Sequence, residues 1–442
     1  MNRPNQTPDP AAIINVLADS AKALADRGEL QEAEKVYLKI LEAAPYHVRA
    51  LSFLAGEALA RGDLDASQAY LDRALRVAPD LPVLHQNMGL LQKQRGDLDA
   101  ALVWFDQAIT IKPDHRFAHF HRGATLQELG RNDEAVLAYW QAWRHFPNAD
   151  AAVNDRFTPL AVRELLAKAA ESIRLAQWRL FGEHIAPVQE RFGKDALSRV
   201  YEAAEIYVGL RKAAYAHALQ RPAFIYMPGL HPQSFFDRSQ FDWAPRLESA
   251  TAEILVELQS AFDTDEGFTP YVQVPKDEDP QQWRPLDGSR SWSALHLYKA
   301  GARVDANCER CPKTAALVES LQLPMIPGHA PEALFSVLQP GTHIPPHFGL
   351  ANYKLVAHLP LIVPQDCAIR VGNETRGWTD GECLVFDDSF QHEAWNHSSE
   401  RRAVLILDVW HPEVTQAERE GITALIASVA SFKNRCRQAG SP

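Results

Sequence analysis

Glycine recurs every 34 residues in the first third of this chain, at Gly28, Gly62, Gly96 and Gly130. Proline keeps the same period at Pro45, Pro79, Pro113 and Pro147. Two residue types holding one period over four registers restrict the architecture to a stack of equal units. Five residues after each glycine stands a small side chain (Ala33, Ser67, Ala101, Ala135), and four further on a large one (Tyr37, Leu71, Phe105, Tyr139). The glycine permits a tight turn between antiparallel helices, and the small residue lets them approach. The proline then stops the second helix. The spacing predicts four helical hairpins.

A unit of this length and order resembles the tetratricopeptide repeat, whose stacked hairpins offer a concave face to a peptide or protein segment. The other reading is a spacer or oligomerisation surface. Trp104, Phe117, Phe120, Trp140 and Trp143 are candidates to line a groove, although their helical spacing suits packing between repeats equally well. From 151 to about 219 apolar residues continue at three- and four-residue steps without the 34-residue marks. That stretch is expected to be helical, capping the solenoid and joining it to the C-terminal half of the chain.

Composition excludes several classes. Forty-five basic residues against 56 acidic give a net charge of −11, which disfavours a nucleic-acid binder. No apolar run is long enough for a membrane span, and the polar, proline-broken start lacks the apolar segment of a secretory signal. Five cysteines do not make a disulfide scaffold, so a cytoplasmic location is expected. The expected layout is a flexible tail over 1–12, four repeats over 13–150, a helical extension over 151–220, a β domain over 221–415, and a closing helix with its tail over 416–442.

After about residue 221 the chain turns to short runs rich in β-branched and aromatic residues: FSVLQPG, YKLVAHLPLIV, CAIRVGN, GECLVFDD and RAVLILDVW. Turn residues such as Pro340-Gly341 and Asp380-Gly381 separate them. The fold class predicted is therefore an all-α repeat solenoid followed by an antiparallel sandwich or barrel, preferably a jelly roll (double-stranded β-helix). Within it His347, in PGTHIPPHFG, and His392, in FDDSFQHEAWN, flank predicted strands, and Arg402 opens the last one. Two histidines on facing strands can converge on one metal, and an arginine in the same cavity can clamp a carboxylate. That layout suits a non-haem Fe(II) oxygenase using 2-oxoglutarate. His343 rivals His347 as a ligand, and Asp387 and Asp388 invite reading as a carboxylate ligand but suit supporting or turn roles. Leu355, Leu361, Val385 and Leu405 are expected to wall the cavity. Cys308 and Cys311 form a lone CxxC, too little for a zinc knuckle.

The motifs FSVLQPGTHIPPHFG, HLPLIVP, RVGNETRGW, FDDSFQHEAWN and LDVWHP resemble those of the aspartyl/asparaginyl β-hydroxylase family. The likeness extends back through CPKTAALVE and SWSALHLYKAG toward Phe224. The resemblance implies a jelly roll that binds Fe(II) through His347 and His392 alone. Gly349 then stands where other 2-oxoglutarate oxygenases place an aspartate. It also implies that Ser336 and Arg402 hold the distal carboxylate of 2-oxoglutarate, and that His358 lies near its metal-binding end. Val356 departs from the family, whose vertebrate member carries an arginine there facing substrate, and Lys354 is the nearest remaining positive charge. The implied reaction spends O2 and 2-oxoglutarate to hydroxylate a β-carbon, with an aspartyl or asparaginyl residue of a peptide or protein as first substrate. Alternatives are an acyl chain, a small acidic metabolite, or a silent scaffold.

Overall fold

A computed structural model describes residues 10–146, 148–264, 266–275 and 279–438. Pro147 and the first nine residues of the expected tail lie outside them, whereas Pro10–Ala12 already belong to the first helix. The chain divides into two compact units. One runs to Ala176 and takes in the residues from Asn434, and the other is Gln177–Lys433.

The first unit contains the four predicted hairpins: α1 (Pro10–Asp26) with α2 (Leu30–Ala43), α3 (Val48–Ala60) with α4 (Leu64–Val77), α5 (Pro82–Gln94) with α6 (Leu98–Ile111), and α7 (Arg116–Glu128) with α8 (Asn132–Arg144). Each periodic glycine adopts a positive φ between 75° and 85°, a region that side chains disfavour. The small residues are buried to 1% exposure or less, and Tyr37, Leu71, Phe105 and Tyr139 to 2% or less. Opposite those large side chains stands a second small series with the same period, Ala21, Ala55, Gly89 and Gly123. A Cβ at Gly123 would lie 2.7 Å from the Tyr139 ring, whereas one at Gly56 would meet nothing within 4 Å. Alanine therefore has opposite effects at these two helical glycines. Gly123→Ala should destabilise the unit by about 2 kcal/mol through overpacking, while Gly56→Ala should stabilise it by about 0.7 kcal/mol through helix propensity. Urea denaturation of both variants checks the sign. Phe120 is fully buried, so it belongs to the core and not to a groove; Phe117, Trp104, Trp140 and Trp143 are half-buried.

The helix Leu160–Phe192 crosses the division between the units, and Ser198–Tyr207 comes after it. The helical pattern expected to reach 219 stops at Tyr207 because Gly209 takes φ 78° and its N–H, with that of Leu210, closes on carbonyls of the last turn. Among the described residues no helix is long and apolar enough to cross a membrane.

Among its described residues the second unit carries twelve strands: β1 (Phe235–Phe236), β2 (Thr269–Pro270), β3 (Trp292–Lys299), β4 (Ala302–Arg303), β5 (Ala333–Leu338), β6 (Thr342–His347), β7 (Lys354–Ile362), β8 (Cys367–Val371), β9 (Glu374–Arg376), β10 (Leu384–Phe386), β11 (His392–Asn396) and β12 (Arg402–Trp410). The pairings among these strands are antiparallel. One sheet runs β1-β10-β7-β12-β5-β3-β2, with β4 on β3, and the other runs β6-β11-β8-β9. From β5 onward the chain therefore passes β5, β7, β10 and β12 through the large sheet, and β6, β8, β9 and β11 through the small one. Neither sheet closes on itself. Helices such as Thr251–Thr264 and Pro312–Glu319 cover the outer face of the large sheet. Its inner face and the small sheet bury a second core.

Candidate active site

The two histidines come together through strand register. His347 ends β6, His392 begins β11, and the two are direct ladder partners with ring centroids 4.0 Å apart. They are neighbours within one sheet, not residues of facing strands as expected. β6 accepts Pro345 and Pro346 because it is an edge strand, where a missing N–H leaves no ladder bond unmade. Each imidazole is oriented by a backbone carbonyl two residues earlier: His347 Nδ1 lies 2.8 Å from Pro345 O, and His392 Nδ1 lies 3.0 Å from Phe390 O. Donation from Nδ1–H leaves the lone pair on Nε2, the tautomer a metal requires. Burial, followed for His347 by the nearby His392, pushes both pKa values down to about 4, so both rings are neutral at neutral pH.

These rings open on a cavity of about 370 Å3 between the sheets, which Ser336, Lys354, His358 and Arg402 also line. Arg402 is 1% exposed. Its Nε and Nη1 have no hydrogen-bond partner, while its guanidinium lies 4.8 Å from the Trp378 ring. Buried guanidinium nitrogens without acceptors are costly, and burial lowers the pKa of Arg402 to about 10. Ser336 Oγ accepts from Trp292 Nε1 at 3.1 Å. Trp378 Nε1 donates to His358 Nδ1 at 3.3 Å, which leaves Nε2–H as the donor of that ring. Burial, then Arg402, holds the His358 pKa well below its ordinary value.

Other expectations are corrected. Leu355, Leu361, Val385 and Leu405 pack in the outer core under the helices. Side chains alternate across a strand, so the wall is made instead by Leu334, Val356, Phe386 and Ile406. His343 faces outward, its Nε2 2.8 Å from Glu393 Oε2, and is no rival to His347. Asp387 shapes the turn before β11, accepting from Gln220 Nε2 at 2.8 Å and from Ser389 N–H at 2.9 Å. Asp388 does line the cavity. A Cβ at Gly349 would come within 2.1 Å of its carboxylate, so that carboxylate occupies the space a side chain at 349 needs. Lys354 is not free for an anion: its Nζ lies 2.7 Å from Asp408 Oδ1 and 3.8 Å from Asp388 Oδ2. Burial alone would lower its pKa, but the two aspartates outweigh it and the pKa is raised. Cys308 and Cys311 are buried thiols, Cys311 pushed up to about 12 by burial. Among the described residues no group of three or more His, Cys, Asp or Glu is placed to hold a metal; the histidine pair stands as two. Trp292, Glu332 and Asp408 line the cavity and Trp378 touches His358 and Arg402 without any spacing signal in the sequence, although Trp378 lies inside the RVGNETRGW motif.

The chain matches the sequence model of the family described as aspartyl/asparaginyl beta-hydroxylase over residues 248–412, and that of a tetratricopeptide repeat over 83–115. It is 32% identical over 250 residues to aspartyl/asparaginyl beta-hydroxylase of Mus musculus, covering 55% of this chain and 31% of that one. It is 34% identical over 215 residues to aspartate beta-hydroxylase domain-containing protein 2 of Homo sapiens, with coverage of 48% and 56%. To aspartate beta-hydroxylase domain-containing protein 1 of Mus musculus it is 31% identical over 252 residues, covering 56% and 68%. The chain thus spans about a third of the first relative's length.

Proposed function

This chain belongs to the aspartyl/asparaginyl β-hydroxylase family, and on that premise we propose that it is an Fe(II)- and 2-oxoglutarate-dependent dioxygenase that hydroxylates a β-carbon of a peptide or protein. The observation that carries the proposal is one cavity lined by two neutral imidazoles paired in register and by a buried guanidinium whose Nε and Nη1 lack partners. The strand order, alternating between the two sheets from β5 to β12, is read as a jelly roll.

The donor set fits the implied group. His347 and His392 would hold ferrous iron through Nε2, and the buried guanidinium of Arg402 would receive the distal carboxylate of the keto acid, with Ser336 Oγ beside it. His358, kept neutral by burial and oriented by Trp378, would offer an N–H toward the cosubstrate. Iron bound there would let O2 and 2-oxoglutarate convert a C–H bond to C–OH. One oxygen atom ends in that alcohol and the other in succinate, CO2 is released, and the C–H bond and the keto acid supply two electrons each. The apolar wall of Leu334, Val356, Phe386 and Ile406 keeps water from the reacting carbon. The helical repeats are the part suited to binding a protein partner or substrate.

The full chain should bind 2-oxoglutarate in calorimetry only when a divalent metal is present, and should release succinate with Fe(II) and O2. Arg402→Ala should raise the KM for 2-oxoglutarate about 100-fold, the value of a buried, charge-assisted pair. An unchanged KM would remove Arg402 from the cosubstrate site, and no heat of binding in the parent protein would remove the proposal.

A further inference from the structure

The cavity has two ends. Arg402 opens β12 beside the Ser336 strand at one end, while Asp408 stands six residues further along β12, about 20 Å away at the rise of a strand. At the Asp408 end, acids outnumber bases. Glu332, Asp388 and Asp408 line it against the single ammonium of Lys354, and that ammonium is committed to Asp408 and Asp388. Glu332 N–H is itself bound to Asp408 Oδ2 at 2.9 Å, which ties the group together. Val356, ladder partner of Asp408, adds no charge.

Two of these carboxylates are unfinished. Asp388, only 9% exposed, has no donor on Oδ1, and Glu332 has none on Oε2. The nearest basic atom to the latter is His296 Nε2 at 3.5 Å. Buried carboxylate oxygens without donors are costly: burial raises the pKa of both groups, that of Glu332 to about 6, and a cation or an N–H donor entering this end would complete them in the ionised form. Aromatic rings line the same cavity. Tyr271 stacks on Trp292 with centroids 4.0 Å apart, Trp283 stands edge-on to His347 at 5.0 Å, and all three aromatics line the cavity. A cavity lined by carboxylates and by indole and phenol rings attracts ammonium and guanidinium groups.

We propose that the side chain hydroxylated here is basic: a lysyl or arginyl residue whose cationic group enters the Glu332/Asp388/Asp408 end, not an aspartyl carboxylate. This rests on the hydroxylase reading above and narrows its substrate. An aspartyl carboxylate at the same place would meet three acids and one already neutralised lysine.

The test uses the full chain and acetylated, amidated pentapeptides that differ only at the central residue: Asp, Asn, norleucine, Lys or Arg. With zinc in place of iron and 2-oxoglutarate present, calorimetry should show the Lys or Arg peptide binding at least 10-fold more tightly than the Asp and norleucine peptides. Glu332→Gln should cut that preference at least 5-fold, and Val356→Arg should shift it toward Asp. With Fe(II) and O2, the preferred peptide should gain one oxygen atom. Equal or tighter binding of the Asp or Asn peptide, indifference to charge, or binding of no peptide overturns this inference while metal-dependent 2-oxoglutarate binding leaves the hydroxylase reading standing. Loss of 2-oxoglutarate binding removes both.

Discussion

His392→Ala is expected to abolish ferrous-iron binding at micromolar metal and to lower succinate formation by about 1,000-fold or more, with the protein still folded. The effect is large because the site offers two imidazoles in ladder register and no third His, Cys, Asp or Glu grouped with them among the described residues. Halving a two-donor set leaves one monodentate ligand and the cosubstrate. His347→Ala should behave alike, and the double variant should be scarcely worse than either, as for groups acting as a unit. Metal content after gel filtration and the rise in Tm on adding Mn(II) give readouts independent of turnover. The Tm of the parent protein should rise and that of the variants should not. Protons should compete with the metal only as the pH falls toward 4, since burial lowers both histidines to about that value. Metal affinity that began to fail near pH 6.5 would show that the rings are not buried as described.

Gly349→Asp, the substitution that formally supplies a third, carboxylate ligand, should instead damage the protein. Its Cβ would overlap the Asp388 carboxylate at 2.1 Å. Asp388 is buried, 3.8 Å from the Lys354 ammonium, so moving it strips part of that pairing and leaves two carboxylates in one pocket. The combined overpacking and charge burial should cost about 3 kcal/mol and weaken metal binding. Gly349→Ala isolates the steric part and should account for at least half of the loss. Asp388→Ala combined with Gly349→Asp should recover part of the stability, because the space then exists. Chemical denaturation of the three variants decides the matter, and a Gly349→Asp protein as stable as its parent, with tighter iron binding, would overturn it.

Some of this was legible in the residues themselves. The 34-residue period located all eight repeat helices, since each turn needs a glycine at positive φ and each hairpin a small residue at its contact. The runs YKLVAHLPLIV and RAVLILDVW were legible as strands from their length and branching. Leu355, Leu361 and Leu405 of those runs lie on the helix-covered face, and the cavity is lined instead by Val356 and Ile406 beside two of them. Both strands are buried on both faces, so neither shows the polar and apolar alternation that tells the cavity side from the helix side. His343 and His347 could not be separated by sequence spacing, and only the outward contact of His343 with Glu393 does so. Lys354 looked like a free charge because Asp408 lies 54 residues away in the chain.

Local chemistry and periodicity determined the solenoid and the long strands of the C-terminal half, because turn geometry, helical contact and strand propensity act over a few residues, while the choice of His347, His392 and Arg402 as candidates rested on the family resemblance of the motifs around them. Tertiary structure alone decided that His347 and His392 are paired in register, that Arg402 Nε and Nη1 are buried without an acceptor, that Asp388 fills the place of a side chain at 349, and that two aspartates hold Lys354. Those facts depend on which distant segments the sheets bring side by side and on what burial removes from water, and neither is written in any single stretch of the chain.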